Sequence, residues 1–451
     1  MRTKILIANR GEIALRVVRA CRELGLASVV VYSEADRDTL PVRLADEAVC
    51  IGGPRAADSY LRTDRILSAA ELTGATAIHP GYGFLSESAQ FAELCRECGF
   101  VFVGPSPEAI RALGDKTVAR RMMQEAGVPV TPGSDGVLPD MASAYACAER
   151  LGYPVMLKAA SGGGGKGMRV VESQRDLERL FRAASSEAEK AFGDGSMFME
   201  KLAVSPKHVE VQVMGDGQGH VVHFGDRDCS LQRRHQKLIE ESPCATLSPE
   251  LRAEMCATAV RAASSINYKG AGTIEYLLDA EGRFSFMEMN TRIQVEHPVT
   301  EMVTGVDLVQ MQLRIALGEP LWLSQDDVRM SGHAIEVRLN AEDPAHGFAP
   351  SPGRVSFYST PGGPGVRLDS HLHAGSVVSP YYDSMLGKLI VHGPTREEAI
   401  VRMRRALAEY LIEGVPSTRP FAERLLSSPE FLSGRYTTGY VSELLAADAS
   451  R

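Results

Sequence analysis

The stretch KILIANRGEIALRVVRACRELGLASVVVYS, residues 4–33, decides the fold of the first part of the chain. Its opening run, KILIA, predicts a buried strand, because apolar residues are nearly continuous there. Residues 11–24 predict a helix with Ile13 and Val17 on one face, and Gly25 is typical of a helix end. ASVVVYS predicts a second strand. A strand, a helix and a strand at this spacing predict an α/β unit built on a parallel sheet.

Two further apolar stretches extend this pattern. ATAIHP, residues 75–80, and GFVFVGP, residues 99–105, each predict another strand of the sheet. No G-x-G-x-x-G motif follows the first strand, so a dinucleotide site is compatible with the architecture but is supported by no motif.

The rest of the chain divides at stretches rich in proline and glycine. Residues 127–136, GVPVTPGSDG, predict a boundary loop, and a small strand-rich unit follows that ends near residues 198–202. A last segment begins with the strand pattern of residues 331–344 and continues through hairpin-like stretches. Residues 396–412 predict a helix that is amphipathic through Ile400, Met403, Leu407 and Leu411.

The composition is that of a globular protein and disfavours two functional classes. Hydrophobic residues make up 44% and charged residues 24% of the chain, and no apolar run approaches the ~20 residues that a membrane-spanning helix needs. A net charge of −8 argues against nucleic-acid binding. The eight cysteines give no disulfide framework and the N-terminus has no signal-peptide core, so we expect a cytoplasmic protein. Cys95 and Cys98 lie in a helical pattern, where we expect buried structural thiols.

A run of four glycines, residues 162–165, is followed by Lys166 and Gly167 between two strand-like stretches. A glycine backbone can approach phosphate oxygens closely and present N–H groups to them. The order Lys166-Gly167-Met168 lacks the serine or threonine that a Walker A loop requires after its lysine. By itself such a run is more often a flexible hairpin tip. Lys158 favours phosphate binding, because an ammonium at the end of an apolar strand needs an anion.

Two strand-like runs, TIEYLLD and RFSFMEMN, are joined by a turn at residues 280–282 and predict an antiparallel hairpin. Glu275 lies in the first run and Glu288 in the second, and apolar residues flank both. Carboxylates that lie close together raise each other's pKa unless a cation intervenes, and magnesium commonly binds one or two carboxylates plus phosphate oxygens. The hairpin therefore predicts a metal site, since two unrelated surface glutamates fit the apolar flanks poorly.

Polar residues then occupy every second position up to Pro298. Alternate residues of an extended backbone point to the same face, so this pattern predicts a face of carboxylate, amide and guanidinium groups. A solvent-exposed strand shows the same alternation, but the position directly after the predicted metal site favours a functional site. The polar positions are Glu288, Asn290, Arg292, Gln294 and Glu296.

Three other cationic positions are candidates. Residues 232–237, QRRHQK, concentrate positive charge in an acidic chain, which is typical of an anion site and equally of a solvated basic surface. Arg338 lies in a strand pattern and can act as a planar, permanently charged donor, while a salt bridge with Glu336 or a neighbour fits the pattern just as well. Lys116 is a second candidate for phosphate binding, although a lysine in its position is more often at the surface.

Taken together, these stretches resemble the biotin carboxylase family of ATP-grasp enzymes over nearly the whole chain. The resemblance implies a Rossmann-like N-terminal domain in residues 1–113 and an ATP-grasp domain in residues 114–330, with a mobile lid subdomain in about 131–203. It also implies a β-rich C-terminal domain in residues 331–447, which gives a mixed α/β and α+β fold. The strings that carry the resemblance are IANRGEIALRVVRA (7–20), HPGYGFLSE (79–87), RDCSLQRRHQK (227–237), EMNTRIQVEHPVTE (288–301), HAIEVRLNAEDP (333–344) and YYDSMLGKLI (381–390).

The resemblance implies a site for ATP and for two Mg²⁺ or Mn²⁺ ions. The glycine loop would close over the ATP phosphates as part of the lid. The residues at the family's ATP positions are Lys116, Lys158, Gly163, Gly164, Gly165, Lys166, Gly167, Met168, Glu200, Lys201, Leu202, His208, Gln232, His235, Glu275 and Glu288. Those at its metal positions are Glu275, Glu288 and Asn290.

The resemblance also implies that bicarbonate and biotin react beside the ATP. Glu296 would be the general base, Arg338 would face the biotin ring, and Lys237 and Arg292 would complete the catalytic set. Lys166 stands where some members of the family have arginine, a change that we expect to be tolerated. Bicarbonate would be held by Lys237, Arg292, Gln294 and the Val295 backbone, and biotin by Tyr82 and Arg338.

Partners follow from the same resemblance. The chain ends at Arg451 without a Met-Lys-Met biotin-attachment motif, so we expect biotin on a separate biotin carboxyl carrier protein, with separate carboxyltransferase subunits. This favours a role in acetyl-CoA carboxylase, although the corresponding subunits of propionyl-type or pyruvate carboxylases share the layout. The family is commonly a homodimer, and we expect Arg19, Glu23 and Arg367 at its interface. No nucleic-acid or membrane partner is expected.

Two rival functions are compatible with parts of the pattern. Another ATP-grasp ligase, of the carbamoyl-phosphate or amino-acid type, would use the same glycine loop and metal carboxylates. A catalytically silent scaffold protein would show a broken metal or base position, and none is broken here. Arg292, Glu296 and Arg338 together favour bicarbonate and biotin over both rivals.

Overall fold

The structure is a computed structural model that describes residues 3–160 and 167–449. The N-terminal unit contains β1 (Lys4–Ile7), α1 (Gly11–Glu23), β2 (Ala27–Ser33), α2 (Leu40–Leu44), β3 (Glu47–Gly52), α3 (Thr63–Thr73), β4 (Ala77–His79), α4 (Ala89–Glu97), β5 (Val101–Phe102) and α5 (Pro107–Gly114). The strand order is β3-β2-β1-β4-β5 and every neighbouring pair is parallel, which confirms the predicted parallel sheet.

Both faces of this sheet are covered, as its continuous apolar runs require. Ile5 and Ile7 of β1 pack on one face with α1, whose Ile13 and Val17 are buried as predicted. Leu6 belongs to a second apolar cluster on the opposite face, with residues of α3 and α4.

A small unit with its own core follows helix α6 (Lys116–Glu125). Its strands form an antiparallel sheet with β6 (Val155–Ala159) in the centre, and its core is separate from the clusters of the other units. We call residues 131–160 and 167–203 the lid unit. The elements are α6 (Lys116–Glu125), α7 (Met141–Leu151), β6 (Val155–Ala159), β7 (Arg169–Val171), α8 (Gln174–Phe192) and β8 (Met197–Lys201).

Two segments of the chain contain the strands of the large sheet, several helices, and the two-stranded sheets β15–β16 (Glu342–Asp343 and Ala349–Pro350), β17–β20 (Gly353–Arg354 and Val377–Val378) and β18–β22 (Phe357–Ser359 and Leu411–Glu413). The first contributes β9 (Lys207–Asp216), β10 (Val221–Arg233), β11 (Gln236–Ser242), α9 (Pro249–Ser265), β12 (Lys269–Leu278), β13 (Phe284–Asn290), α10 (His297–Thr304) and α11 (Leu308–Ala316). The second contributes β14 (His333–Asn340), β15 (Glu342–Asp343), β16 (Ala349–Pro350), β17 (Gly353–Arg354), β18 (Phe357–Ser359), β19 (Val366–Asp369), β20 (Val377–Val378), β21 (Met385–Gly393), α12 (Arg396–Glu409), β22 (Leu411–Glu413), α13 (Arg419–Leu425), α14 (Pro429–Leu432) and α15 (Tyr440–Ala449).

The large sheet has eight antiparallel strands in the order β13-β12-β9-β10-β11-β14-β21-β19. Because β11 pairs with β14, the hydrogen-bonded sheet is continuous across residue 330. The division into units ending at residues 113, 330 and 447 stays a prediction.

Three local predictions were wrong. The helix predicted for residues 396–412 ends at Glu409, and Leu411 instead lies on β22, which pairs with β18. Cys98 is exposed, whereas Cys95 is buried as expected, because α4 has already ended at residue 97. The strand that carries the alternating polar residues ends at Asn290 rather than continuing toward Pro298. Within the described residues, no helix combines the length and apolarity that a membrane crossing requires.

Candidate active site

Residue alternation on the large sheet separates a hydrophobic face from a charged one. Val209, Val211 and Val213 of β9 pack in one apolar cluster with residues of α9. The residues between them, among them Glu210 and Gln212, therefore point to the opposite face. We call this charged face the site face, and its titratable side chains are Glu210, Arg227, Lys237, Glu275, Glu296 and Arg338.

Lys237 of β11 lies at the centre of the site face. Its Nζ is 2.6 Å from Glu210 Oε2 and 3.0 Å from Glu275 Oε1, and it also donates to Glu296 Oε1. Glu210 and Glu296 are completely buried. One ammonium is thus shared by three carboxylates, so an incoming anion would compete with them for its protons.

Glu296 directly precedes α10 and binds cations on two sides. Besides Lys237, Arg338 of β14 donates from Nη2 to Glu296 Oε2 at 2.9 Å. Burial works to raise the pKa of Glu296, but Lys237, Arg338 and Arg227 outweigh it and hold that pKa well below its ordinary value. Glu296 is therefore ionised and ready to accept a proton, although its ion pairs make it a weak base in this state.

Arg338 divides its guanidinium between two carboxylates. Its Nε donates to Glu240 Oε1 at 2.6 Å, so the salt bridge that forms is with Glu240 and Glu296 rather than with Glu336. Burial raises the pKa of Glu240 to about 7, and the charge of Arg338 only partly offsets this rise. Tyr82, on the N-terminal unit, donates its hydroxyl proton to Glu12 and borders a cleft of about 260 Å³.

The predicted metal pair is brought together as the hairpin pattern implied. Glu275 of β12 and Glu288 of β13 are directly paired residues of neighbouring strands. Burial and the charge of Glu275 raise the pKa of Glu288, whereas burial of Glu275 is outweighed by Lys237 and His208, which lower its pKa. The buried Asn290 amide Nδ2 has no hydrogen-bond partner among the described residues. A carboxylate pair in which Glu275 raises the pKa of Glu288, with the Asn290 amide oxygen two residues along β13, is a donor set that suits a divalent cation.

The amide and guanidinium of the alternating stretch converge on this pair even though the strand has ended. Arg292 Nη2 donates to Asn290 Oδ1 at 3.0 Å, and its Nη1 donates to Gln294 Oε1 at 2.9 Å. Gln294 Nε2 in turn donates to Glu275 Oε1 at 2.9 Å. Arg292 also forms an ion pair with Glu87 of the N-terminal unit, at 2.9 Å.

The predicted nucleotide residues lie where the lid unit meets the large sheet. Lys116 begins α6, after Asp115 has capped the helix, and its Nζ lies 4.0 Å from Glu288 Oε2. Lys158 of β6 pairs with Glu200 of β8, which also accepts a hydrogen bond from Arg120 at 3.0 Å. Both lysines therefore point toward carboxylates that also border the predicted metal and ATP positions.

Other predicted ATP residues are placed less uniformly. Lys201 donates to two carbonyl oxygens of the lid unit, and the Leu202 N–H donates to Pro154 O at 3.3 Å. His208 is buried, and its Nε2 lies 3.2 Å from Glu275. Gln232 pairs with Lys237 across β10 and β11, while His235 is exposed in the turn between these strands with a φ of 65°.

The glycine loop is only partly described. Gly163, Gly164, Gly165 and Lys166 lie outside the described residues, whereas Gly167 and Met168 lie inside them, just before β7. Gly167 has a φ of 70°, and a Cβ there would lie 2.9 Å from Ala159 Cβ, so only glycine fits against β6 at this point.

Several site residues were missed from the sequence. Arg227 is fully buried, donates to Glu210 at 2.6 Å and to Gln212 at 2.8 Å, and so fixes the back of the site face. The alternation of polar residues with valines along HVEVQV could have identified Glu210 and Gln212. Nothing local marks Glu240, because its role depends on pairing with Arg338 from a distant strand.

The predicted dimer residues occupy different environments. Arg19 and Glu23 are exposed on α1, and Glu23 accepts a hydrogen bond from Gln310 at 2.6 Å. Arg367 of β19 is bound to Glu301 at 2.7 Å and to Asp369.

Family models match three consecutive parts of the chain. Residues 1–110 match the biotin carboxylase N-terminal domain, residues 115–324 the carbamoyl-phosphate synthase L chain ATP binding domain, and residues 336–443 the biotin carboxylase C-terminal domain. The chain is 57% identical to biotin carboxylase of Nostoc sp., over 98% of this chain and 99% of that protein. It is 53% identical to biotin carboxylase 1 of Bacillus subtilis, over 97% of this chain and 98% of that protein.

Solved structures agree over the same length. The biotin carboxylase of Campylobacter jejuni, solved as a βγ-ATP complex, superposes with a TM-score of 0.96 at 50% identity, over 98% of this chain and 99% of that one. The biotin carboxylase domain dimer of Hydrogenobacter thermophilus 2-oxoglutarate carboxylase, solved with MgADP, ADP and bicarbonate, superposes with a TM-score of 0.95 at 50% identity, over 98% of each chain. The predicted fold class is confirmed by these likenesses, and the chain belongs to the biotin carboxylase family of ATP-grasp ligases.

Proposed function

We propose that this chain uses ATP and bicarbonate to carboxylate the ureido ring of biotin through carboxyphosphate. The observation that carries the proposal is the single ammonium of Lys237 shared by Glu210, Glu275 and Glu296, with Arg338 on the far side of Glu296. This arrangement suits a small anion that must lose a proton. Family membership and the bicarbonate in the Hydrogenobacter structure support the same assignment.

Bicarbonate would bind where Lys237, Arg292, Gln294 and the Val295 N–H converge. Its negative charge would draw Lys237 away from Glu296 and weaken that ion pair, which raises the pKa of Glu296 toward a useful range for a base. Glu296 would then accept the bicarbonate proton as the oxygen attacks the γ-phosphate of ATP. A general base of this kind contributes about 10²–10⁴ in rate.

The nucleotide would lie between the lid unit and β12–β13. Lys116 and Lys158 would donate to its phosphate oxygens, and the strand end at Glu200, Lys201 and Leu202 would face the adenine. We assign the remaining ATP contacts to the glycine loop, Met168, His208, Gln232 and His235. Glu275, Glu288 and Asn290 fit Mg²⁺ or Mn²⁺, which when bound would neutralise charge that develops on the transferred phosphoryl group.

Biotin would bind between Arg338 and Tyr82. Carboxyphosphate would yield CO₂ and phosphate, and the phosphate would remove the proton from the ureido nitrogen. The ureido oxygen then carries negative charge, and Arg338 would donate to it after giving up part of its contact with Glu296. Loss of a comparable oxyanion donor costs about 10²–10³ in rate.

We infer that the biotin is presented on a separate carrier protein and that the product passes to a carboxyltransferase. The chain is similar to the Nostoc and Campylobacter biotin carboxylases over nearly their whole length, which supports a role as the biotin carboxylase component of an acetyl-CoA or related carboxylase. A homodimer through Arg19, Glu23 and Arg367 is part of the same proposal, and the Hydrogenobacter domain was solved as a dimer.

The proposal is tested by ATP hydrolysis of the purified chain in magnesium, with and without bicarbonate and free biotin. We expect turnover that requires bicarbonate, rises with biotin and is abolished by a chelator. Glu296→Ala and Arg338→Ala should each lower that turnover at least 10²-fold while ADP still binds. Hydrolysis that ignores bicarbonate, or that needs another carboxylate or an amine, would identify a different ATP-grasp ligase.

A further inference from the structure

Lys388 of β21 is a buried cation that the proposed reaction does not use. Its side chain is completely buried, and it lies directly opposite Arg338 on the neighbouring strand β14. A buried ammonium is costly unless its protons are accepted. The Lys388 Nζ donates to the Val295 carbonyl oxygen at 2.7 Å and lies 3.2 Å from Glu12 Oε1.

These contacts join three parts of the chain. Glu12 lies on α1 of the N-terminal unit, and the Tyr82 hydroxyl donates to the same oxygen, Glu12 Oε1. The Lys388 Nζ is also 5.9 Å from the centre of the Tyr82 ring. Val295 belongs to the stretch that connects β13 with α10, directly before Glu296. One ammonium therefore binds the peptide that precedes the proposed base and is connected to the proposed biotin residue through Glu12.

Lys388 pairs with one carboxylate, Glu12, but its shorter contact is with a peptide carbonyl although a second buried carboxylate lies on the neighbouring strand. Glu336, on the same strand as Arg338, is completely buried, and neither of its carboxylate oxygens has a hydrogen-bond partner among the described residues. Burial raises the pKa of Glu336 well above its ordinary value, and the charge of Lys388 only partly offsets this rise. Yet the Lys388 protons go to a backbone carbonyl and to Glu12 instead. The lysine is therefore placed to hold a peptide group.

We infer that Lys388 is a positioning residue that fixes the Val295–Glu296 peptide and Tyr82 relative to Arg338. The Val295 carbonyl belongs to the peptide bond that precedes Glu296. Because a peptide group is planar, holding this oxygen fixes the orientation of the Glu296 backbone and so the direction of its side chain. The Val295 N–H is the proposed bicarbonate donor, and Glu12 carries the same restraint to Tyr82. The inference rests on the proposed function, because it concerns the distance between the bicarbonate and biotin subsites.

The size of the expected effect follows from the geometry of reaction. A misplacement of reacting groups by about 1 Å can cost about 10²-fold in rate. Lys388→Met keeps the length and apolar body of the side chain but removes the donor. We expect kcat/KM for bicarbonate and for biotin to fall about 10²-fold, while the Kd for ADP stays within about twofold, since Lys116 and Lys158 are untouched.

A matched control separates positioning from folding. Lys207 is also a nearly buried lysine that binds a carboxylate, Asp228, at 2.8 Å and lies 4.0 Å from the ring of a tyrosine, Tyr436. Lys207→Met should lower thermal stability by a similar amount without changing kcat/KM for bicarbonate. If both variants lose stability alike and both keep wild-type kcat/KM values, Lys388 has only a structural role and the inference is wrong.

A double-mutant cycle tests the link to Tyr82. Tyr82→Phe removes the hydroxyl that shares Glu12 with Lys388, so its effect on the KM for biotin should shrink at least threefold in the Lys388→Met background. If the fold-changes in KM for biotin of the two single variants simply multiply in the double variant, the link between Lys388 and Tyr82 is wrong. If Lys388→Met does not fold, Glu12→Gln decides instead, and an unchanged KM for biotin would count against the inference. A wild-type chain that ignores bicarbonate refutes the proposed function itself, whatever the variants do.

Discussion

The site face of the large sheet and the lid unit differ in where their charged side chains lie relative to the buried interior. On the site face, Lys237 and Arg338 are bound by carboxylates that are themselves completely buried, such as Glu210 and Glu296. In the lid unit, Lys158 pairs with Glu200, and neither belongs to the hydrophobic core that contains Leu157, Leu177 and Met199. On the site face, the same charged groups support both the fold and the proposed chemistry. In the lid unit, the hydrophobic core and the charged groups are different sets of residues.

This difference has a consequence for substitution. Removing a charge from the site face leaves buried partners uncompensated, so the free energy of unfolding and the catalytic rate should fall together. In the lid unit, the apolar core and the lysine that we propose for phosphate binding can be changed independently. Four substitutions, taken from the largest expected effect to the smallest, test this contrast.

Lys237→Met should have the largest effect. It removes the proposed bicarbonate ligand and leaves Glu210, Glu275 and Glu296 without their shared cation, so we expect a loss of about 3–5 kcal/mol in the free energy of unfolding and at least 10²-fold in kcat. The loss of stability should be smaller at pH 5 than at pH 8, because the freed carboxylates take up protons. Denaturant unfolding at both pH values measures it. A stable variant with low activity would show that the site face separates the two roles after all.

Leu177→Ala tests the lid unit alone. Leu177 of α8 is completely buried in the core of that unit, and the truncation leaves a cavity that typically costs about 2–5 kcal/mol. Since this core is separate from the others, we expect hydrogen exchange to rise in α7, α8 and β6–β8 and to stay unchanged in β9–β13. Faster exchange throughout the large sheet would show that the lid unit does not unfold by itself.

The same contrast explains what the sequence could predict. The strand-helix-strand unit of residues 4–33 and the Glu275–Glu288 hairpin depend on neighbours close in sequence, and both are present as predicted. Arg292 and Gln294 meet Asn290 and Glu275 although their strand ends early, because short-range spacing still places them together.

What the sequence could not predict depends on distant strands. The contact of Arg338 with Glu240 requires β11 to pair with β14, far along the chain, and no local pattern specifies that register. In the sequence, Lys388 is a lysine flanked by apolar residues, and its position opposite Arg338 is defined only by the pairing of β21 with β14. Leu411 fits a helical period, yet pairing with β18 draws it into a strand.

Glu241→Gln should remove stability without removing activity. Glu241 is buried on the C-terminal side of the sheet, where His333 lies at 2.6 Å and Arg396 donates at 2.7 Å. Burial alone would raise the pKa of Glu241, but these partners lower it to about 2. The stabilisation is therefore fully present above pH 4.5 and is lost as the pH falls toward 2. At neutral pH the lowered pKa of Glu241 contributes about 3 kcal/mol to the free energy of unfolding.

The variant should consequently be less stable at pH 7 and lose less on acidification between pH 5 and 3.5. Thermal unfolding across that range measures the slope, and bicarbonate-dependent ATP hydrolysis at 25 °C should stay near the wild-type rate. A parallel slope in both proteins would mean that Glu241 is not the group that titrates.

Lys158→Met should have the smallest effect on the fold and a selective one on nucleotide binding. Glu200 keeps Arg120 as a partner at 3.0 Å, so the loss of Lys158 does not leave a buried carboxylate alone. A hydrogen bond to a charged group contributes about 1.5–3 kcal/mol, so the KM for ATP should rise about 10–100-fold while the unfolding transition and the KM for bicarbonate stay close to wild type. Arg120→Met is the matched control, because it removes the other cation of Glu200 and leaves the phosphate donor in place. If Arg120→Met raises the KM for ATP as much as Lys158→Met does, the two cations act through Glu200 and the direct contact of Lys158 with phosphate is wrong.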